Sequence, residues 1–346
     1  MKILVTGASG FLGGHLVDAA LRQGHQVRAL VRETSELSRL CALPGLELAY
    51  GDLGDAASLR RAVEGVDVVQ HSAARVVEHG TRAQFWNSNV TGTRLLLDAA
   101  RDAGAGRFVF ISSPSALMRV GDGDRYGIDE SAPYPTRFHN LYSETKAAAE
   151  RLVLAADQRE FTTVALRPRG VWGPRDHAGF LPRVIARMAA GRFPDLLGGR
   201  RVLASLCHCD NAVAATLLAS TAPAERIAGK AYFVADKDPA DVREFLERVA
   251  GLFGVPPPTR RIPPLVRDAL VEAVELVWKL PLLAARERPL SRYSVALLTR
   301  STTYDIGAAE RDLGYVPVTG QETGLRGFET WVRSLGGLEV FLRTMR

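Results

Sequence analysis

The chain has 346 residues, with 44 Lys and Arg against 38 Asp and Glu for a formal net charge of +6, and it is 47% hydrophobic and 24% charged. That balance excludes a disordered chain and a multi-span membrane protein, and the length suits about two domains or one large α/β domain with a smaller attachment. The longest basic runs are the pairs Arg60-Arg61, Arg200-Arg201 and Arg260-Arg261 without aromatic interleaving, which argues against nucleic acid as a partner.

Met1 to Gly7 carries an apolar strand straight into a glycine, unlike the long apolar stretch of a signal peptide. Residues 3–6, 26–31, 46–49, 67–70, 108–112 and 162–166 are predicted as strands, with amphipathic helical patterns between them. Near-continuous apolar strands alternating with helices predict a Rossmann-type, doubly wound parallel α/β sheet, with its ligand site at the strands' carboxyl ends. After Pro168 the pattern loosens, helices are predicted over 179–190, 240–254 and 265–280, and a strand over 231–235 returns to the sheet. The expected division is a dinucleotide-binding domain over 1–174 with 205–236 returning to it, and a smaller, mainly helical substrate lobe from 175–204 and 237–346. The 265–280 helix gathers Leu265, Val266, Ala269, Leu270, Ala273, Val274, Val277 and Trp278 on one stripe. It reads as a lid over a substrate pocket or, over 263–286, as a helix lying in a membrane surface. No run is apolar enough to span a bilayer. Three cysteines, Cys41, Cys207 and Cys209, are too few for a disulfide framework, and the expected compartment is the cytoplasm.

The first strand meets Gly7-Ala8-Ser9-Gly10-Phe11-Leu12-Gly13 and then a helix. Gly7 permits the turn, Gly10 lets the backbone approach a pyrophosphate, and Gly13 packs helix against strand, while the helix N-terminus offers free N–H groups. After the second strand Arg32 favours the 2′-phosphate of NADP(H), with adjacent Glu33 keeping NAD(H) open; Asp52 follows the third strand within reach of an adenine, or caps a helix. Tyr142 and Lys146 lie four apart on one helical face, and an ammonium together with a cationic nicotinamide should stabilise the phenolate and lower the phenol's pKa towards neutrality for proton transfer. Ser113, with Ser112 as its rival by strand alternation, is the hydroxyl for the substrate oxygen; Ser115 reads as turn chemistry. Cys207-His208-Cys209-Asp210 reads as a strand end entering a helix, not a metal site, and His71, His177 and His208 as packing or surface residues.

Together the glycine turn, Gly51-Asp52-Leu53, His71-Ser72-Ala73-Ala74, Asn89-Val90-Thr91-Gly92-Thr93, Ser112-Ser113, Tyr142 to Lys146 and Arg167-Pro168-Arg169-Gly170-Val171-Trp172-Gly173-Pro174 resemble an extended short-chain dehydrogenase/reductase. Cys209-Asp210-Asn211, Pro289-Leu290-Ser291-Arg292 and Leu313-Gly314-Tyr315-Val316-Pro317 are similar to its 3β-hydroxysteroid dehydrogenase branch, near sterol-4-carboxylate 3-dehydrogenases and 2-alkyl-3-oxoalkanoate reductases. The resemblance implies an NAD(P)-dependent oxidoreductase, of sterol-dehydrogenase type first and a ketoreductase second. Its substrate would be a small hydrophobic molecule, a sterol or a long-chain 3-keto or 3-hydroxy acid. It implies that Ser113 and Tyr142 hold the substrate oxygen, that Lys146 holds the nicotinamide ribose, and that Asn89 supports Lys146 through water. Ser9, Phe11, Leu12, Leu53, Ser72, Ala73, Ala74, Pro168 and Val171 would complete the cofactor site. Arg169 is the expected fork for a substrate carboxylate, with Phe180 as a second substrate-side residue. A homodimer through the helices around Asn89 and Tyr142 is a further expectation. The competing readings are a sugar-nucleotide epimerase or dehydratase and a non-catalytic NADP sensor.

Overall fold

The pleat sorts each buried strand's residues between two cores, so that Ile3 and Val5 join one hydrophobic cluster while Leu4 joins another, and Val109 and Ile111 part from Phe108 and Phe110 in the same way. A computed structural model describes residues 1–278, 283 and 290–345. In chain order its strands are β1 (Lys2–Thr6), β2 (Gln26–Val31), β3 (Leu46–Tyr50), β4 (Val68–His71), β5 (Arg107–Ile111), β6 (Arg125–Ile128), β7 (Thr162–Pro168), β8 (Val171–Trp172), β9 (Leu203–Ala204), β10 (Cys207–His208), β11 (Lys230–Val234), β12 (Ala240–Asp241) and β13 (Thr302–Tyr304). Seven form a parallel sheet in the order β11-β7-β5-β4-β1-β2-β3, so the strand order reverses between β1 and β4, where a doubly wound sheet opens its ligand crevice. Each predicted sheet strand is present within one or two residues, and the predicted return of 231–235 is β11 pairing with β7.

The second lobe departs from the expected plan in two places. A four-stranded sheet, β12-β9-β13-β6, lies within it, and β6 comes from the segment assigned to the first domain. Conversely, Ala309, Leu313 and Tyr315, assigned to the lobe, pack in the first domain's core, where the Tyr315 hydroxyl donates to the Ala235 carbonyl at 2.8 Å.

The helix Pro264–Val277 corrects the lid expectation. Of its residues only Val271 is buried, while on the stripe Leu265 is 86% and Val266 49% exposed, so the apolar stripe faces outward rather than down onto a pocket. The predicted end of this helix at Leu280, most of 279–286, and Pro289 lie outside the described residues. No helix among the described residues is long and apolar enough to cross a membrane.

Candidate active site

At the carboxyl end of β1 the backbone is shaped for a flat, charged ligand. Gly7 sits at φ +69°, and a Cβ there would lie 3.0 Å from the Ala73 main chain; one at Gly13 would lie 2.1 Å from the Gly7 carbonyl. Gly10 donates to the Gly7 carbonyl at 2.9 Å, and the helix Phe11–Arg22 starts after it with no side-chain cap, leaving its first N–H groups for a ligand. Ser9, Phe11 and Leu12 lie on this turn. Across the crevice, Ser72 donates through its hydroxyl to the Thr6 carbonyl at 2.7 Å and the Ala73 N–H donates to Thr6 Oγ1 at 3.2 Å, which fixes Ala73 and Ala74 beside the glycines. The cradle fits a dinucleotide pyrophosphate.

Past β2, the Arg32 side chain is exposed and makes no ion pair among the described residues, while its N–H donates to Ser35 Oγ. Asp52 is turned to its own loop, accepting from the Gly54 N–H at 2.8 Å, whereas Asp55 caps the helix Ala56–Val63. Leu53 abuts Gly92, where a Cβ would come within 2.8 Å. Pro168 ends β7 and Val171 opens β8.

The reacting groups converge from β5 and the helix Leu141–Ala155. Asn140 caps that helix, accepting from the Ser143 N–H at 2.8 Å, and this orients its first turn. Of the two rival serines Ser113 is the one whose hydroxyl acts on the Tyr142 phenol, drawing its pKa downward; Ser112 Oγ is buried without a partner among the described residues. Ser113 also caps the short turn Pro114–Leu117, accepting from the Ser115 N–H. Lys146 is buried, with Nζ 2.7 Å from the Ile111 carbonyl and 4.7 Å from the Phe110 ring centroid. Burial pushes its ammonium down to about 7, against the opposing charge of Glu150. In the chain alone, burial pushes the Tyr142 phenol up while Ser113 works downward, and Lys146 aims its ammonium at a main-chain carbonyl.

Asn89 is buried in a π-helical turn, Asn87–Thr91, and bonds directly to the helix Leu141–Ala155. Its side chain accepts from the Arg75 N–H at 2.7 Å and donates to the Arg75 carbonyl and to Thr145 Oγ1, the neighbour of Lys146. Arg169 is corrected outright. Its buried guanidinium donates to the carbonyls of Ser205, Thr302 and Leu297, bracing β7 against the second lobe instead of offering a fork to a ligand. Phe180 lies beside Gly170 and 6.5 Å from Phe245, in the second lobe's core. Next to Ser113 in the chain, Pro114 and Leu117 form one wall of a small surface groove with Met118, Ile128 and Tyr304, and Arg119, Asp122, Arg125, His139 and Arg300 stand at its edge.

Cys207 to Asp210 form the expected strand end entering the helix Cys209–Thr221, with His208 Nδ1 accepting from the Asp210 N–H. His15, Cys209 and Asp210 bring three ligand-type atoms within 4.8 Å, but Arg175 Nε stands 3.2 Å from His15 Nε2, a cation already in place. His177 packs on Trp331 at 5.0 Å.

Sequence reasoning passed over Glu150, Arg167 and Tyr134. Glu150, fully buried one helical turn past Lys146, pairs with Arg167 at 2.7 Å and accepts from the Tyr134 hydroxyl at 2.6 Å. The four-residue spacing from Lys146 to Glu150 was the available signal. Asp176 was also missed; it is buried, with Oδ1 accepting from the Ala178 and Gly179 N–H groups and Oδ2 without a partner. Desolvation raises its carboxyl from 3.8 to about 6. A folded-state pKa above the unfolded one favours the fold below pH 3.8, and this contribution is lost as pH rises through 6, at a cost on the order of 3 kcal/mol. Asp176→Asn keeps the two backbone bonds and removes the charge, so chemical denaturation should show the variant more stable than the parent at pH 8 and no more stable at pH 4.

Comparison with known proteins places these features in a lineage. A family model described as the 3-beta hydroxysteroid dehydrogenase/isomerase family matches residues 4–264. The chain is 38% identical to a 2-alkyl-3-oxoalkanoate reductase of Stenotrophomonas maltophilia (strain K279a), covering 94% of this chain and 98% of that one. It is 34% identical to a 3-beta-hydroxysteroid dehydrogenase of Mycolicibacterium neoaurum, covering 92% and 87%. Among solved structures, a dTDP-glucose 4,6-dehydratase from Streptomyces venezuelae with NAD bound superposes with a TM-score of 0.75 at 25% identity, covering 97% and 98%.

Proposed function

The chain belongs to the 3-beta hydroxysteroid dehydrogenase/isomerase family, and on that premise we propose that it is an NADP(H)-preferring oxidoreductase reducing a ketone on a bulky hydrophobic substrate. The observation that carries this reading is the convergence of Ser113 on the Tyr142 phenol, with Lys146 buried on the same helical face and its Nζ held at the Ile111 carbonyl at the end of β5. A bound nicotinamide supplies the hydride. Tyr142 gives its phenolic proton to the substrate oxygen as charge builds there, and Ser113 donates a second hydrogen bond to the same oxygen. Lys146 holds the ribose and orients the cofactor towards the phenol.

The substrate class follows the relatives' chemistry, a 3-oxo acid with a long apolar body. The second reading, oxidation of a 3β-hydroxysterol, is favoured by the family match itself. Initial rates with NADPH and a 2-alkyl-3-oxo acid, compared with those for NAD⁺ and a 3β-hydroxysterol, separate the two; turnover of neither contradicts the assignment.

NADP(H) preference rests on the exposed Arg32, which makes no ion pair among the described residues. A charge-assisted bond from a guanidinium to a phosphate contributes about 1.5–3 kcal/mol, so Arg32→Ser should lower kcat/KM for NADPH by about 10- to 100-fold and leave that for NADH nearly unchanged. Equal losses with both cofactors would remove Arg32 from the 2′-phosphate site.

A further inference from the structure

His71 ends β4 directly beneath the crevice and is wholly buried, with a ring contact to Phe110, over which Lys146 lies. Both ring nitrogens bond hydroxyls, Nδ1 to Thr6 Oγ1 at 2.7 Å and Nε2 to Thr93 Oγ1 at 2.9 Å. The directions of these bonds follow from their neighbours. Thr93 uses its one hydroxyl proton on the Asn89 carbonyl at 2.7 Å, which can only accept, so towards His71 it must be the acceptor and Nε2 must carry the proton. In a neutral ring Nδ1 is then a lone pair, which receives the Thr6 hydroxyl proton. Thr6 Oγ1 in turn accepts from the Ala73 N–H.

We propose that His71 is a positioning residue, locked as the neutral Nε2–H tautomer, which joins the cofactor turn to the catalytic helix through two directed runs of hydrogen bonds that meet at Asn89. The first runs from the Ala73 N–H through Thr6 and His71 to Thr93 and the Asn89 main-chain carbonyl. The second starts at the Asn89 side-chain amide, which donates to Thr145 Oγ1, whose hydroxyl donates to the Leu141 carbonyl in the first turn of the helix that carries Tyr142 and Lys146. The same amide grips the Arg75 main chain, so the loop 72–75 and the catalytic helix are set by one side chain. A cofactor held at Gly7 and Ala73 is thereby registered against the phenol and ammonium that act beside it. Burial and the nearby Lys146 charge both oppose protonation of the ring, which agrees with the neutral tautomer. His71 touches neither substrate nor reacting atoms; its effect is on the distance between the two halves of the site. This inference rests on the oxidoreductase reading for its consequence, though not for its geometry.

The test combines a direct view of the ring with a mild break in the chain. Long-range proton–nitrogen NMR of the full-length protein labelled in its histidines should show one ring that stays neutral and protonated at Nε2 at pH 7; assignment comes from its loss in His71→Leu. Thr93→Val removes one hydroxyl without changing side-chain size. It should raise the dissociation constant for NADPH, read by fluorescence titration, and lower kcat, each by about three- to tenfold. Thr93→Ser, which keeps the hydroxyl, should restore both. A Nδ1–H or charged ring overturns the proposal, as does a valine variant indistinguishable from the serine variant in NADPH affinity and kcat. If the unaltered protein binds no nicotinamide cofactor, the oxidoreductase reading falls and the positioning role with it, while the tautomer measurement still reports on the chain.

Discussion

Tyr142→Phe should lower kcat by about 10²- to 10⁴-fold while leaving cofactor binding unchanged. Tyr142 is the phenol on which Ser113 acts, and the substitution deletes a single oxygen from a side chain whose ring keeps its packing. Cofactor affinity should hold because the contacts that form the pyrophosphate cradle, at Gly7, Gly10 and Gly13, are supplied by another element. A variant that loses both cofactor binding and activity would place Tyr142 in structure rather than chemistry. Residual activity within about tenfold of the parent would shift the proton donor elsewhere, Ser113 first.

Arg167→Leu should be the most damaging substitution for the fold. Glu150 is fully buried and Arg167 nearly so, their charges meet at 2.7 Å, and Tyr134 donates to the same carboxylate. Taking away the guanidinium leaves a carboxylate in the interior with one hydroxyl partner, and breaking such a pair costs about 3–5 kcal/mol. The stranded Glu150 should then hold its proton to higher pH, so the loss seen in urea denaturation at pH 8 should shrink at pH 5. An equal loss at both pH values would mean that the deficit comes from packing against Phe233, 5.2 Å from the guanidinium, and not from the unpaired charge.

The parallel sheet was legible because its strands are buried on both faces, so runs such as 108–111 are apolar at every position and cannot be mistaken for half-exposed strands. The glycine turn was legible for a similar reason, since Gly7 and Gly13 meet steric limits that no other residue satisfies. Tyr142 and Lys146 share a helical face, so four-residue spacing was enough to pair them. What escaped was long-range. Nothing local to Arg125–Ile128 announces a partner at Thr302–Tyr304, because a four-residue strand carries little pattern and its mate lies far along the chain. Arg169 looked like a ligand fork because guanidinium chemistry is the same whether it meets a carboxylate or three carbonyls; only the fold decides. Pro264–Val277 misled in another way, since a strong apolar stripe states that a face could be covered and not that this chain covers it. His71 was read as a packing residue, and its place in the hydrogen-bond chain depends on threonines 65 and 22 positions away.

The central claim is that Ser113, Tyr142 and Lys146 form a working proton-transfer site for ketone reduction. Its most direct test follows NADPH absorbance with the purified protein and a 2-alkyl-3-oxo acid, with Tyr142→Phe measured in parallel and each protein's NADPH binding determined separately. The account predicts substrate-dependent NADPH oxidation by the parent protein, lost in a variant that still binds NADPH. Equal rates in the two proteins, or NADPH bound with no oxidation by any 3-oxo acid or oxosteroid, would contradict it.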